Sequence, residues 1–145
     1  MDERLNLANY WFKKADNDLK NARIVIEVED APIDTVCFHC QQSAEKYLKG
    51  FLIYHNIKFE KQHDLDYLID LCCQIDSSFD SLRDIAENLT PYAVEIRYPT
   101  NPFYEYSVEE GREAIKIAED IMVFVRKKLP VDSLNNLDND SGGNQ

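Results

Sequence analysis

The sequence predicts an all-α fold, an up-and-down bundle of about five antiparallel helices. Apolar residues recur at steps of three and four along five segments, which is the period of one helix face, and no segment is a convincing strand. The connections between these segments are short, which favours antiparallel neighbours. With 44% hydrophobic residues among 145, the chain can bury one core, so we expect one domain.

The first two helices follow from the apolar period and from the proline between them. The first is predicted over roughly residues 6 to 28 and stops before Pro32, since proline supplies no amide donor and disfavours a helical residue before it. The second begins after Pro32 and fades by Asn56. Gly50 lies inside it at a cost of about 1 kcal/mol relative to alanine, so it marks either a defect or a place where another backbone comes close.

The next two helices are placed by capping residues and by a proline. Asp64 is an N-cap candidate for a short third helix. Ser77, with Asp80 three residues on, resembles a capping arrangement for the fourth helix. Pro91 should kink or restart that helix, because a proline cannot continue it.

The last helix is predicted from a capping box, Ser107 with Glu110, and from apolar positions that extend to Leu129. The bundle is therefore assigned to residues 6–129. Residues 130–145 contain three aspartates, no lysine or arginine, and a polar end with two glycines. Such a segment offers little apolar surface to bury, so we expect a disordered acidic tail.

Charge and composition exclude several classes of protein. A net charge of -11 argues against a general electrostatic grip on nucleic acid, so any such binding must be local. No apolar run approaches the ~20 residues of a membrane span, and the N-terminus shows no secretory signal, so a cytoplasmic protein is expected. The four cysteines, two of them adjacent, suit reduced thiols better than disulfides.

A zinc site could in principle form from Cys37, His39 and Cys40 together with the adjacent pair Cys72 and Cys73. On a helix, however, His39 points about 200° away from Cys37 by the 3.6-residue period. We therefore expect small buried thiols and no metal or other cofactor.

Positive charge is concentrated between residues 46 and 63, which hold four lysines against one glutamate. Lys46 and Lys49 are three apart and share a helix face, with Tyr47 and Tyr54 nearby as stacking surfaces for a base. One interpretation is local binding of a nucleotide. The alternative is a solvated face with the tyrosines half in the core.

Arg97 lies between apolar residues, directly before Tyr98, and should have a specific anion. Its planar donors suit a phosphate or a dimer partner, and the alternative is an internal carboxylate such as Glu45 or Glu95. His63 precedes the cap candidate Asp64, and it is either a site residue or a neighbour of the cap. Aromatic residues such as Trp11, Phe38 and Tyr98 compete for one small core, which favours a homodimer.

Two runs of the sequence are specific in order and spacing, Gln41-Gln42-Ser43-Ala44-Glu45-Lys46-Tyr47-Leu48-Lys49 and Arg97-Tyr98-Pro99, with His63-Asp64-Leu65 between them. Together they resemble the HEPN domain, the nucleotide-binding domain named for higher eukaryotes and prokaryotes, over about residues 6 to 128. The resemblance implies an all-α bundle, frequent homodimers, and frequent pairing with a separate minimal nucleotidyltransferase in toxin–antitoxin systems.

The resemblance also implies a possible enzyme, because many HEPN proteins are metal-independent ribonucleases with an arginine followed four to six residues later by a histidine. Here Arg97 is followed at those positions by Asn101, Pro102 and Phe103. The motif lacks the imidazole that would act as general acid or base near neutral pH, so whether the chain is an enzyme is left open.

The preferred interpretation is a nucleotide- or RNA-binding homodimer that is paired with a minimal nucleotidyltransferase. Its expected nucleotide-binding residues are Lys46, Lys49, His63, Arg97 and Tyr98. Two alternatives stay open. One is a non-catalytic helical module for dimerisation or protein interaction, and the other is a metal-independent ribonuclease with a displaced histidine.

Overall fold

The computed structural model describes residues 2–95 and 103–130, in which the chain forms helices joined by short connections. These residues contain no strand, and the prediction of an all-α fold is confirmed. The elements are α1 (Glu3–Val25), α2 (Ile33–Tyr54), α3 (Leu65–Cys73), a 3-10 helix (Ser77–Leu82), α4 (Arg83–Glu87), α5 (Tyr92–Glu95) and α6 (Val108–Arg126).

The three long helices, α1, α2 and α6, form most of the bundle. The Ser43 hydroxyl donates to the Ala15 carbonyl oxygen at 2.9 Å, and Gly50 lies against Ala8, so α1 and α2 are antiparallel. Two further contacts, Gly111 beside Ile33 and Arg126 beside Tyr47, show that α6 runs parallel to α2.

The 3-10 helix, α4 and α5 follow one another as a row of short helices, here named the fourth column of the bundle. At one end, the ring centroid of Phe79 lies 4.4 Å from that of Phe51 and 5.1 Å from that of Phe124. At the other end, the Tyr92 hydroxyl donates to Glu110. The column is therefore antiparallel to α2 and α6, and α3 packs beside α2. The largest side chains buried between these elements include Phe12, Tyr47, Phe51 and Phe79.

Gly50 marks the point where α1 and α2 come closest. A Cβ atom placed on Gly50 would lie 2.7 Å from Cε1 of Phe12 and 3.3 Å from the carbonyl oxygen of Ala8. The Phe12 ring is 1% exposed and has little room to move. Of the two alternatives considered for Gly50, the close approach of another backbone is the one that the structure shows.

The boundaries of α1 differ from the predicted 6 to 28 at both ends. The helix begins at Glu3 because the Asp2 carboxylate accepts a hydrogen bond from the Arg4 amide at 2.9 Å. It ends at Val25, and the chain then forms a turn in which the Val28 amide donates to the Val25 carbonyl oxygen at 3.0 Å.

The fourth helix is the element that the sequence predicted least well. Asp76, and not Ser77, is its cap, since the Asp76 carboxylate accepts from the Ser78 amide at 2.9 Å. The first turns are 3-10 and not α-helical. The restart at Pro91 is confirmed, because α4 ends before this proline and α5 begins at Tyr92.

The two other capping predictions are confirmed. The Asp64 carboxylate accepts from the Asp66 amide at 2.9 Å at the start of α3. The Ser107 hydroxyl accepts from the Glu110 amide at 3.1 Å at the start of α6. α6 ends at Arg126, and the apolar stripe is completed by Leu129, which is also buried.

Residues 131–145 lie outside the described part of the chain, so the expected disordered tail and its boundary stay predictions. Within the described part, no helix is both long enough and apolar enough to cross a membrane.

Candidate functional site

Three side chains converge on the carboxylate of Glu45 in the middle of α2. Lys49 Nζ donates to Oε2 at 2.9 Å, His63 Nδ1 lies 2.9 Å from Oε1, and Gln41 Nε2 donates to Oε1 at 3.2 Å. The side chains of Glu45 and Lys49 are 5% and 10% exposed, whereas that of His63 is 36% exposed. These four residues, here named the Glu45 cluster, form a buried ion pair with an imidazole at the surface.

The local sequence explains how the Glu45 cluster forms. Gln41, Glu45 and Lys49 are spaced four apart, so they lie along one line of α2. The Gln41 side chain also donates to the backbone carbonyl oxygen of His63 at 3.0 Å, and Asp64 caps α3 directly after it. His63 is therefore held through both its ring and its backbone, and the cluster joins α2 to the start of α3.

A second carboxylate, Asp18 on α1, binds two side chains of α2. The Lys46 ammonium donates to Asp18 Oδ2, and His39 Nδ1 lies 3.1 Å from Oδ1. The Asp18 side chain is 14% exposed and that of Lys46 is 27% exposed. This arrangement links α1 to α2 by a partly buried ion pair.

These contacts change the interpretation of the positive segment 46–63. Lys46 and Lys49 bind two different carboxylates, Asp18 and Glu45, neither of which lies within that segment. Their positive charges are therefore compensated inside the fold, and charge counted along the chain overstates the positive field at this surface.

Of the two interpretations of the tyrosines, the one that makes Tyr47 a stacking surface is wrong, because its side chain is fully buried. Its hydroxyl donates to the Asp16 carboxylate, and burial together with the Asp16 charge raises the pKa of Tyr47 above its ordinary value. Tyr54 is half-buried, with the Arg4 guanidinium 5.4 Å from its ring centroid.

Arg126 is a buried charge that the sequence analysis missed. It is 4% exposed, its guanidinium carbon lies 5.2 Å from the Phe12 ring centroid, and Nη2 donates to Asp16 Oδ2 at 2.6 Å. The signal in the sequence is faint, namely that Arg126 directly follows Val125 at the edge of the apolar stripe of α6. Arg126 and Tyr47 both bind the Asp16 carboxylate, which is 33% exposed, and so link α6 and α2 to α1.

The three histidines occupy different environments. His63 and His39 each have Nδ1 against a carboxylate, as described above, whereas His55 packs on the Phe51 ring with centroids 4.6 Å apart. Burial lowers the pKa of His55, and the nearby Arg4 charge lowers it further. His63 and His39 therefore both have the arrangement of a general base, an imidazole oriented by a carboxylate and partly exposed, and the His63 contact is the shorter, at 2.9 Å against 3.1 Å.

The four cysteines are free thiols. Burial raises the pKa of Cys37 to about 12 and also raises the pKa values of Cys40 and Cys72. Such thiols are protonated and weakly nucleophilic near neutral pH. Within residues 2–95 and 103–130, no group of three or more histidine, cysteine, aspartate or glutamate side chains is arranged to hold a metal ion.

The carboxylate of Glu110, at the start of α6, binds two tyrosine hydroxyls. Tyr92 donates to its Oε1 at 3.1 Å, and Tyr104 lies 2.9 and 3.0 Å from its two carboxylate oxygens. Burial raises the pKa of Tyr92, and the hydrogen bond to Glu110 raises that of Tyr104. These contacts attach α5 and the segment before α6 to the bundle.

Of the five expected site residues, the structure brings Lys49 and His63 together and places Lys46 on a separate carboxylate, Asp18. Arg97 and Tyr98 lie outside the described residues, and their assignment stays a prediction.

Comparison with known proteins gives consistent results for sequence and fold. The family model described as HEPN domain matches residues 8–128. The chain is 28% identical over 138 residues to the protein named "Putative toxin MJ1304" of Methanocaldococcus jannaschii, covering 86% of this chain and 90% of that protein. Two crystal structures are similar. TT1696 from Thermus thermophilus has a TM-score of 0.72 and 27% identity over 86% of this chain and 99% of its own. ST0689, an archaeal HEPN homologue, has a TM-score of 0.65 and 26% identity over 83% and 96%.

Proposed function

Because the chain belongs to the HEPN domain family, we propose that it is a toxin-like HEPN protein that binds a nucleotide or RNA. We further propose that it forms a homodimer and works with a minimal nucleotidyltransferase. The toxin-like assignment is supported by the name of its relative in Methanocaldococcus jannaschii.

The observation that carries the binding proposal is the Glu45 cluster. Glu45 orients the imidazole of His63 at the surface, and the Lys49 ammonium lies on the same carboxylate. A fixed donor beside a cation suits a phosphate, since charge-assisted hydrogen bonds are the stronger ones. In this proposal His63 contacts the ligand, whereas Lys49 acts by positioning Glu45.

The other ligand contacts are assigned to Lys46, Arg97 and Tyr98. Arg97 has the greatest expected effect, because a guanidinium can bind a phosphate through two parallel hydrogen bonds. Lys46 keeps a partly exposed side chain although it is paired with Asp18. Tyr98 supplies a ring on which a base could stack.

The binding proposal is tested by calorimetric titration with AMP, ATP and a short RNA. Arg97→Ala should weaken binding by about 1.5 to 3 kcal/mol, the range for a hydrogen bond to a charged group, and Arg97→Lys should recover part of the loss. Arg112→Ala is the control, because Arg112 is 56% exposed on α6 and its salt bridge with Glu27 is at the surface. Lost stability with unchanged affinity would remove Arg97 from the site.

The homodimer is supported by Trp11 and Phe38, which remain half-buried at the surface of the single chain. Light scattering at tens of micromolar, well above the dissociation constant of a tight dimer, should give twice the chain mass of 16.9 kDa. A monomer at that concentration contradicts the proposal.

The protein partner is tested by co-expression with the product of the neighbouring reading frame. A small nucleotidyltransferase should be encoded there and should co-purify with this chain at a fixed ratio. Absence of such a frame, or separation of the two proteins on size exclusion, contradicts the pairing.

A second candidate function, a metal-independent ribonuclease with a displaced histidine, is favoured by the 2.9 Å contact between His63 and Glu45. An imidazole held by a carboxylate is the arrangement that general base catalysis uses. Cleavage of a labelled RNA in EDTA should then be abolished by His63→Asn and retained by His55→Asn, whose ring packs on Phe51. Equal activity of both variants, or no cleavage by the natural chain, excludes this candidate.

A further inference from the structure

The outward face of α1 carries lysines and no carboxylate between residues 6 and 24. Lys13, Lys14, Asn17, Lys20 and Asn21 are all exposed and fall within about 120° of the helix circumference. These five residues are here named the α1 lysine face. The face is notable in a chain whose net charge is -11.

The two carboxylates that flank this face are engaged by other helices. After Glu3, the acidic residues of α1 are Asp16 and Asp18. Asp16 turns to Arg126 on α6, and Asp18 turns to Lys46 on α2. Both carboxylates are therefore neutralised on the flanks of the helix, and the lysines between them face solvent.

The lysines themselves lack acidic partners in the part of the chain that the structure describes. None of Lys13, Lys14 and Lys20 forms a salt bridge with a described carboxylate, and Lys14 lies 5.3 Å from the ring centroid of Tyr10. In the predicted positive segment, Lys46 and Lys49 are both paired, whereas Lys58 and Lys61 are exposed and form no salt bridge with a described carboxylate. Uncompensated positive charge therefore lies on α1 and in the connection after α2, and α1 carries the larger group of such lysines.

We propose that the α1 lysine face binds the backbone of an RNA strand. Lys13 and Lys20 are seven residues apart, about 10 Å along the helix, so the face is long enough to contact more than one phosphate of a single strand at once. The asparagines add amide groups that donate and accept, as contacts to phosphates and ribose hydroxyls require. The centre of a protein–protein interface is depleted of lysine, whereas lysines occupy the middle of this face. The exposed apolar residues Leu7 and Ile24 lie near the ends of α1, and the exposed Tyr10 ring lies beside Lys14.

This proposal rests on the proposed function only in taking RNA as the ligand, and it places that ligand on a different helix from the Glu45 cluster. Contact with a backbone adds affinity without reading the base sequence. The face would therefore hold RNA of any sequence, and it gives a protein of net negative charge a local route to RNA.

The test measures binding of a fluorescein-labelled 12-nucleotide oligouridylate by anisotropy between 50 and 200 mM KCl. The variant Lys13→Gln/Lys14→Gln/Lys20→Gln should bind at least tenfold more weakly. Its slope of log K against log salt should be shallower by about 2, since each phosphate contact on a single strand contributes about 0.7. The control Arg112→Gln/Lys116→Gln/Lys127→Gln removes the same charge from exposed positions on or just after α6 and should bind nearly as tightly as the natural chain.

Each other outcome overturns the proposal. Equal loss in both triple variants would mean that only net charge matters, and no binding of oligouridylate by the natural chain would exclude RNA. Equal binding of the deoxyuridine oligonucleotide would exclude the ribose contacts, and equally effective competition by polyglutamate would assign the face to an acidic protein.

Circular dichroism checks that the variants are folded. AMP titration of the lysine variant separates the two proposals, because the α1 lysine face can fail while AMP binding is retained, and the reverse can also occur.

Discussion

Replacing Lys49 with methionine is expected to lower the free energy of unfolding by about 3 to 5 kcal/mol, the usual cost of removing one partner from a buried ion pair. The Glu45 carboxylate is 5% exposed and binds Lys49 Nζ at 2.9 Å. Methionine keeps most of the apolar stem of lysine but removes the charge. Gln41 and His63 would remain on Oε1, and Oε2 would lose the donor that Lys49 provides.

The size of this effect follows from burial. For a domain of this length, a loss of 3 to 5 kcal/mol corresponds to a fall of about 10 to 20 °C in the thermal midpoint. It is also a large share of the 5 to 15 kcal/mol that typically stabilises a native protein. The double variant Glu45→Gln/Lys49→Met removes the stranded charge, so it should recover at least half of the loss.

The assay is urea and thermal unfolding followed by circular dichroism, with Lys116→Met as the matched control. Lys116 and Asp120 have the same four-residue spacing on α6, but their side chains are 68% and 51% exposed and 3.4 Å apart. A surface pair of this kind contributes about 0 to 1 kcal/mol. If Lys49→Met costs no more than Lys116→Met, the reasoning from burial is refuted and Lys49 is free to act directly on a ligand.

Four further predictions concern packing, thiols, acid and the tail. Gly50→Ala should destabilise the fold relative to Gly111→Ala by about 1 to 3 kcal/mol, because both gain helix propensity but the contact is tighter at Gly50. A methyl group there would lie 2.7 Å from a buried ring, whereas at Gly111 the nearest atoms are isoleucine methyl carbons at 3.0 and 3.1 Å. Titration with a thiol reagent at pH 8 should modify the half-buried Cys73 first and the three buried cysteines only after unfolding, as their raised pKa values imply. Hydrogen bonds from Ser78 and Lys128 lower the pKa of Asp76 from 3.8 to about 2. The stability that Asp76 adds is therefore present above pH 3.8 and is lost as the pH falls toward 2. The difference in free energy of unfolding between the natural chain and Asp76→Ala should shrink over that interval. Removal of residues 131–145 should leave the thermal midpoint nearly unchanged, and a large fall would show that the tail docks on the bundle.

The helix caps, which depend on local hydrogen bonds, were the features of the fold that the sequence predicted best. The caps Asp64 and Ser107 could be predicted because a cap and the amide that it accepts from are two or three residues apart. The cap of the 3-10 helix was misassigned because Asp76 and Ser77 are adjacent and both are good cap residues. Sequence narrows such a boundary to a short segment, and the backbone then selects one residue within it.

The ion pairs of the candidate site were harder to predict from the sequence, because their partners are far apart in the chain. Lys46 and Asp18 are separated by 28 residues, and Arg126 and Asp16 by 110. The line Gln41, Glu45 and Lys49 could be read from the four-residue spacing, but the approach of His63 depends on how α3 returns to α2. The interpretation of Tyr47 as a stacking surface was wrong for the same reason, since burial depends on neighbouring helices.

Apolar period, capping and motif order are properties of short stretches of chain, so they were enough to predict the all-α bundle, the position of most of its helices and the family. Which charges are compensated depends on the folded arrangement of the helices. It joins Asp18 to Lys46 and Glu45 to Lys49, and it leaves the lysines of α1 exposed without described acidic partners. The physical reason is that electrostatic interaction depends on distance in space and on burial, and neither can be read from spacing along the chain.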